Sequence, residues 1–436
     1  MSVAYGEADG VAPPLGIPRL LAGIRLDGRP LSLGEHSRRW GAVPAIRGER
    51  GRKELIDLVA ASGLTGRGGA GFPTARKLEA VAGGRGRPLV LANGGEGEPA
   101  SGKDAVLLAY TPHLVLDGAA LAARAVGAEA VVLAVSRVGR EAVVHAIVER
   151  RRSGLDRGLS LRSVVVPERF VASEETALVA FVDGKPALPT FTPPRPFERG
   201  VGGAPTLVQN VETLAHLALV ARFGPEWFRS VGTEAEPGSV LVTLSGAVRH
   251  PGVFEVPLGT SFGELVRQAG GATSELGALL VGGYFGTWLP AGRALAAPLS
   301  ESGLAPLDAS PGARAVVALP SASCGVLETA RVARWLARES AGQCGPCVHG
   351  LAAVAGDLGR IARREDCVDA HSSLVRRLQA IEGRGACRHP DGAVRFVASA
   401  LRAFADEVDL HLHGRCTGLA ERPVLPLPLR RHRGGR

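Results

Sequence analysis

Cysteine is missing from the first 323 residues of this 436-residue chain; all six cysteines (Cys324, Cys344, Cys347, Cys367, Cys387, Cys416) lie beyond that point. Small disulfide-built scaffolds carry cysteine far more densely, so a disulfide framework is excluded and metal or redox work in a separate C-terminal unit is favoured. Aromatic residues are also scarce, with 12 Phe, 4 Trp and 3 Tyr. Basic residues outnumber acidic ones 51 to 42, yet they are scattered rather than striped, so the charge of +9 reads as a solvated Arg-rich surface and no nucleic-acid partner is expected. No run of about 18 apolar residues occurs, and the basic-then-apolar order of a signal peptide is absent; a cytoplasmic chain with no transmembrane segment is expected. Lysine is nearly lacking, with four against 47 arginines. Lys77 and Lys103 inside glycine-bearing loops therefore suggest a place for a compact ammonium group.

What is present suits a folded chain of two to four domains: 45% apolar and 21% charged residues, with Gly and Pro together at about a fifth, below the level that marks disorder. Residues 1–50, rich in Pro, Gly and Arg, read as an N-terminal arm. Over 51–232, helical patterns (Leu55, Ile56, Val59 and Leu64 on one face; 113–126; 140–151) alternate with apolar runs (88–92, 130–135, 161–166). That alternation predicts an α/β domain with a mostly parallel sheet. The prolines of 186–196 predict an irregular crossing segment. Over 233–320 short strands (239–245, 253–256, 278–281) surround a helix at 261–269, a small α+β module. Over 321–420 apolar stripes at 326–340, 348–364, 371–382 and 391–412 predict a four-helix bundle with cysteines in its links. Residues 421–436 read as a basic tail.

Gly66-Arg67-Gly68-Gly69-Ala70-Gly71 satisfies GxGxxG but follows a helix, so the usual strand-turn-helix dinucleotide fingerprint does not apply. With Arg67, Phe72 and Lys77 it still offers backbone donors, positive charge and a ring. Asn93-Gly94-Gly95-Glu96-Gly97-Glu98-Pro99 follows the 88–92 strand, at the edge where open α/β sheets bind ligands. Its run into Lys103 resembles a P-loop, but Asp104 stands where a hydroxyl should hold magnesium and Glu96 and Glu98 would repel phosphate, so a triphosphatase is rejected. Those carboxylates suit ribose hydroxyls, an amide or a flavin edge. Glu174-Glu175-Thr176, with Ser173 available as an N-cap, and Asn210 before Thr213 each open a helix. Cys344-Gly345-Pro346-Cys347 with Cys387 can gather thiolates at one metal centre, either an iron-sulfur cluster or structural zinc with His349 or His389. Cys324, Cys367 and Cys416 read equally as buried apolar residues or as ligands.

Together these segments, GRGGAGFPT (66–74), NGGEGEP (93–99), EETAL (174–178), PTLVQNVETLA (205–215), SGAVRHPGVFEVPLGT (245–260) and ESAGQCGPC (339–347), resemble the FMN- and NADH-binding flavoprotein subunit of respiratory complex I. The same subunit type occurs in NAD-linked hydrogenases and formate dehydrogenases. The resemblance covers about residues 50–417. It implies a Rossmann-like FMN-binding α/β domain, a ubiquitin-like β-grasp module and a four-helix bundle holding a 4Fe-4S cluster. It implies that the 66–71 loop, Lys77, Asn93, Glu96, Glu174, Glu175, Asn210 and Thr213 hold FMN, and that Phe72 and Glu98 face NADH, with Glu98 catalytic. Electrons would pass singly to iron-sulfur centres and then to a ferredoxin-like or thioredoxin-like 2Fe-2S partner within a larger oxidoreductase complex, docked at the inner face of a membrane where that complex is. Ala341 stands where the family carries a fourth cysteine beside Cys344, Cys347 and Cys387. A 3Fe-4S centre, a non-cysteine ligand, rescue by Cys324 or Cys367, and loss of the cluster are the alternatives. Two rivals remain: a flavoprotein that no longer uses NADH, and a non-enzymatic scaffold with a zinc-stabilised bundle.

Overall fold

A computed structural model describes residues 16–25, 27–418 and 422–428. The first region runs α1 (Leu33–Trp40), α2 (Gly48–Ser62), α3 (Thr74–Ala82), β1 (Leu89–Gly94), α4 (Lys103–Tyr110), α5 (Pro112–Val126), β2 (Ala130–Val135), α6 (Arg140–Ser153), β3 (Ser160–Val165), α7 (Glu175–Val182), β4 (Thr206–Asn210) and α8 (Val211–Arg229). β1 and β2 are apolar almost throughout because helices cover both faces of the sheet, the usual state of a parallel sheet. All four strands are parallel, in the order β3-β2-β1-β4. The chain steps outward from β1 to β3 and then returns to pair β4 on the opposite side of β1. The carboxyl ends of β1 and β4 therefore flank a crevice, with Asn93 opposite Asn210 in register.

Three elements here differ from the sequence reading. α4 occupies the end of the P-loop-like stretch, and β4 precedes α8 where no strand was predicted. Within the expected arm, Ser32 and Glu35 form a reciprocal capping box that starts α1, and Trp40 at its end is fully buried. Ahead of it, the backbone N–H groups of Arg19, Leu20 and Leu21 donate to the buried Glu255 carboxylate.

The second region holds β5 (Ser239–Gly246), β6 (Gly252–Pro257), α9 (Phe262–Gln268), β7 (Leu276–Val281), β8 (Thr287–Pro290), α10 (Ala291–Ala294), α11 (Glu301–Leu304) and β9 (Ala315–Pro320). Its sheet order is β6-β5-β9-β7-β8, with β5 and β9 parallel and the other pairs antiparallel. One face packs on α9 through Phe262 and Leu265; the other, carrying Leu280, Val317 and Leu319, joins the core of the helical region that follows.

That region comprises α12 (Gly325–Arg338), α13 (Leu351–Arg363), α14 (Cys367–Ile381), α15 (His389–Ala403) and α16 (Ala405–Leu412). The stripe expected as one helix over 391–412 is divided at Phe404, whose backbone leaves helical geometry while its ring packs 5.1 Å from Trp288. The expected tail is docked where it is described: Val424 and Leu425 donate to Glu328, and Leu425 is 2% exposed. Residues 1–15, 26, 419–421 and 429–436 of the expected arm, bundle and tail lie outside the described residues. No single helix among the described residues is long and apolar enough to cross a membrane.

Candidate functional site

A cleft of about 670 Å³ opens at the β1/β4 crevice, within the roughly 300–1,000 Å³ range of small-molecule and cofactor sites. All three regions wall it. The loop between α2 and α3 contributes Gly66, Gly68, Gly69, Ala70, Gly71 and Phe72, and α3 contributes Lys77. Gly66 N–H donates to Phe72 O at 2.8 Å, which closes the loop on itself. Asn93, Glu98, Glu174, Glu175, Asn210 and Thr213 also line the cleft.

Each polar group is held by the element beneath it. Asn210 caps α8 by accepting from Glu212 N–H, and its amide donates to Asp104 Oδ2 at 2.8 Å. Asn93 donates to Ser173 O at 2.9 Å. Thr213 Oγ1, in the first turn of α8, accepts from Arg67 N–H at 2.8 Å and ties the glycine loop to that helix. Lys77 Nζ stands 3.4 Å from Glu175. Glu174, rather than the expected Ser173, caps α7 by accepting from Thr176 and Ala177 N–H. Ser173 instead closes the preceding turn onto Phe170 O, 3.3 Å away.

Glu98 accepts from Ala100 N–H at 3.0 Å and, across the region boundary, from Tyr284 N–H at 2.7 Å. Burial pushes its carboxyl up to about 7, against the two N–H donors that favour its ionised form. The approach is close: a Cβ on Gly283, whose φ is +80°, would lie 2.6 Å from Glu98 Oε2.

Two expected residues do not line the cleft. Arg67 is 1% exposed, and its guanidinium turns beneath the loop to Thr65 Oγ1 (2.9 Å) and Pro237 O (3.3 Å). Burial, with Arg314 nearby, lowers its pKa to about 9. Glu96 accepts from Asp104 and Ala105 N–H and caps α4 from within, since a carboxylate complements a helix N-terminus. Lys103 is likewise internal: its ammonium meets Asp104 (2.7 Å), Glu212 (2.9 Å) and Asn210 Oδ1 (3.2 Å), leaving no free donor for a phosphate.

The structure also adds residues that were not expected. Gln209 is 5% exposed in the cleft wall, and its Oε1 has no hydrogen-bond partner. Phe170 and Phe285 meet edge to face with ring centres 4.6 Å apart, and Gly282 and Gly312 bring the second region's loops to the opening. In the sequence, Gly282-Gly283-Tyr284-Phe285-Gly286, aromatics between glycines directly after an apolar run, was the available signal.

Cys387 lines the same cleft. Cys344 and Cys387 are both close enough to Cys347 to raise its thiol, whose pKa is pushed up to about 12, chiefly by burial. The backbone of Ala341 bonds to the Cys347 thiol. Glu339 accepts from Phe170 N–H at 2.9 Å and Ser340 O accepts from Arg169 at 3.0 Å, pinning the cysteine loop to the wall of the cleft. Cys324 and Cys367, the two alternatives for a fourth cysteine ligand, have other neighbours around their thiols. Cys324 faces Cys416, Glu407 and His411, and Cys367 has Asp366, Arg360, Glu365 and Arg364 as its charged neighbours. His389 Nε2 is 2.9 Å from Leu336 O, and His349 is exposed.

Three family models match the chain: the Nuo51 FMN-binding domain over residues 59–219, the SLBB domain over 241–281, and the NADH-ubiquinone oxidoreductase-F iron-sulfur binding region over 328–411. The second F-type subunit of the NADH-quinone oxidoreductase of Rhizobium meliloti is 33% identical over 91% of this chain and 98% of its own length. The F-type subunit of the Streptomyces coelicolor enzyme is 32% identical over 83% of this chain and 84% of its own. The crystal structure of an NAD+-reducing nickel-iron hydrogenase superposes with a TM-score of 0.78 at 31% identity, covering 83% of this chain. This chain spans 63% of the length of that hydrogenase chain. The chain belongs to the family of F-type subunits of NADH-quinone oxidoreductase.

Proposed function

We propose that this chain is an FMN-dependent NADH dehydrogenase subunit that takes a hydride from NADH in the β1/β4 cleft and passes single electrons through an iron-sulfur centre to a partner redox protein. The observation that carries the reading is the convergence of two chemistries: Cys387 belongs both to the cleft wall and to the cysteine group. When bound, the flavin supplies the change from two-electron to one-electron transfer, while the protein positions and tunes it.

The residues fit a flavin nucleotide. Gln209 Oε1 is a buried acceptor that lacks a partner, the kind of group a ring-edge N–H satisfies. Asn93, Gln209 and Asn210 form the polar floor on which the ring edge is held. The backbone of the 66–71 loop and the N-terminus of α8 at Thr213 favour the phosphate, with Lys77 adding charge. Phe72, 52% exposed at the rim, offers a face for a nicotinamide nucleotide. Glu98 titrates near neutrality, so its carboxyl can hold or release a proton at the reacting face while Tyr284 and Ala100 keep it in place. Cys344, Cys347 and Cys387 fit three corners of an iron-sulfur cluster; position 341, as alanine, supplies no thiolate to a fourth. Arg67, Glu96 and Lys103 support the loop and the helices around the flavin rather than touching it.

The five-stranded module is read as a β-grasp docking unit and the helical region as the bundle that carries the cluster. The partners are 2Fe-2S or ferredoxin-type components of a larger oxidoreductase complex on the cytoplasmic side. Anaerobic mixing of the FMN-loaded protein with NADH tests the reading: the flavin absorption band bleaches. An unbleached band at millimolar NADH overturns the donor, and protein that stays colourless after incubation with FMN overturns the whole assignment.

A further inference from the structure

At the far end of the helical region, four side chains of metal-binding type converge, and the chemistry above uses none of them. Ligand atoms of Cys324, Glu407, His411 and Cys416 all lie within 4.8 Å of one another. Cys324 stands at the N-terminus of α12, and His411 lies in the last turn of α16. Cys416 follows in the loop after α16, and Glu407 sits one turn before His411.

Three features make this more than proximity. The first is the orientation of the imidazole. His411 is fully buried, with Nδ1 3.0 Å from Ile361 O; a carbonyl only accepts, so Nδ1 carries a proton and Nε2 is turned to the thiols. Backbone carbonyls fix metal-binding imidazoles in this way. Nε2 lies 3.4 Å from Cys324 Sγ and 3.2 Å from Glu407 Oε1. With zinc bonds of about 2.0–2.3 Å, ligand atoms around a tetrahedral ion stand roughly 3.3–3.8 Å apart, so those spacings need little adjustment.

The second feature is that both sulfurs already receive backbone donors: Leu327 N–H reaches Cys324 Sγ, and Gly418 N–H reaches Cys416 Sγ, each at 3.4 Å. Such contacts fix where the two sulfurs sit, and a bound ion displaces the proton that burial otherwise keeps on Cys324. The third is that the loop after Cys416 is pressed onto Cys324. A Cβ on Gly418 would lie 2.6 Å from Cys324 Cβ, and Glu407 holds the same loop by accepting from Thr417 N–H at 3.0 Å.

We propose that Cys324, His411 and Cys416, with Glu407 as the oxygen ligand, form a structural zinc site separate from the cluster cysteines. Two thiolates, an imidazole and a carboxylate in a closed tetrahedron suit zinc, and four ligand atoms all within 4.8 Å of one another surround a single ion rather than the several irons of a cluster. The ion clamps the end of α16 to the start of α12. It thereby sets the path of the chain that docks Val424 and Leu425 on Glu328, one turn after Cys324.

Metal analysis of the anaerobically purified full chain tests this. One zinc per chain is expected in the wild type. It is retained in a C344S/C347S/C387S variant and lost in a C324S/C416S variant whose iron content is unchanged. If the second variant does not fold, His411→Gln takes its place: it loses the zinc and keeps the wild-type iron content, and zinc retained at one per chain overturns the proposal. Absence of zinc from the wild type overturns the proposal, as does a Cys324–Cys416 disulfide in the purified protein, iron at this site, or zinc that survives C324S/C416S.

Discussion

Replacing Glu98 with glutamine isolates the electrostatics of the cleft. Burial raises this carboxyl from an ordinary 4.5 to about 7. Between those values the folded chain binds more protons than the unfolded one, so Glu98 lowers stability progressively as pH rises from about 4.5 to about 7. The interval is worth roughly 3.4 kcal/mol at one pKa unit per 1.36 kcal/mol. The carboxyl sits in the wall of an open cleft, where solvent screening leaves about 2 kcal/mol of that. Glutamine cannot ionise. It also turns an amide toward either Ala100 or Tyr284 N–H, at a pH-independent cost of about 1–3 kcal/mol. Urea unfolding of flavin-free wild type and Glu98→Gln at pH 5 and pH 8 separates the two effects. The wild type loses about 1.5 kcal/mol more than the variant on going from pH 5 to pH 8, since part of the interval is already lost at pH 5. Parallel losses would show that burial does not govern the charge on Glu98, and the acid-base role assigned to it would fall with that result.

Three further outcomes follow from the same geometry. Lys103→Met leaves Asp104 and Glu212 buried without their cation and lowers unfolding free energy by about 3–5 kcal/mol in urea; a loss under about 1 kcal/mol refutes the internal role of this lysine. Ala341→Cys supplies the missing thiolate and raises cluster iron per chain, read by iron and sulfide analysis; unchanged iron means that the cysteine loop does not present position 341 to the cluster. Gly68→Val places methyl groups in the cradle, with its Cβ 3.3 Å from Asn210 Cβ. It weakens FMN binding at least tenfold, about 1.4 kcal/mol in a fluorescence titration, and unchanged affinity removes the loop from the flavin site.

Segments with one clear period were readable from the sequence. β2 spans 130–135 as its apolar run suggests, and α2 stops at Gly63. α4 was hidden because its apolar residues lack a single face, and Lys103 and Asp104 at its start are themselves buried and read as loop chemistry. β4 was hidden because five residues, TLVQN, run straight into α8 and take their meaning only from pairing with β1. At the site, residues next to glycine motifs could be named in advance, but Arg67 and Glu96 show that a motif does not fix which way a side chain turns. Phe285 and Gly312 reach the cleft through tertiary folding alone. So does the meeting of Cys324 with His411, 87 positions apart.

The cleft has no single owner: its floor, its rim and the cysteine beside it come from three successive parts of the chain. Whatever free energy a ligand gains there is also cohesion between those parts. Cofactor loading and assembly of the three parts are thus one equilibrium seen from two sides. Cutting the protein after the first region would dissolve the receptor even where both fragments kept their fold.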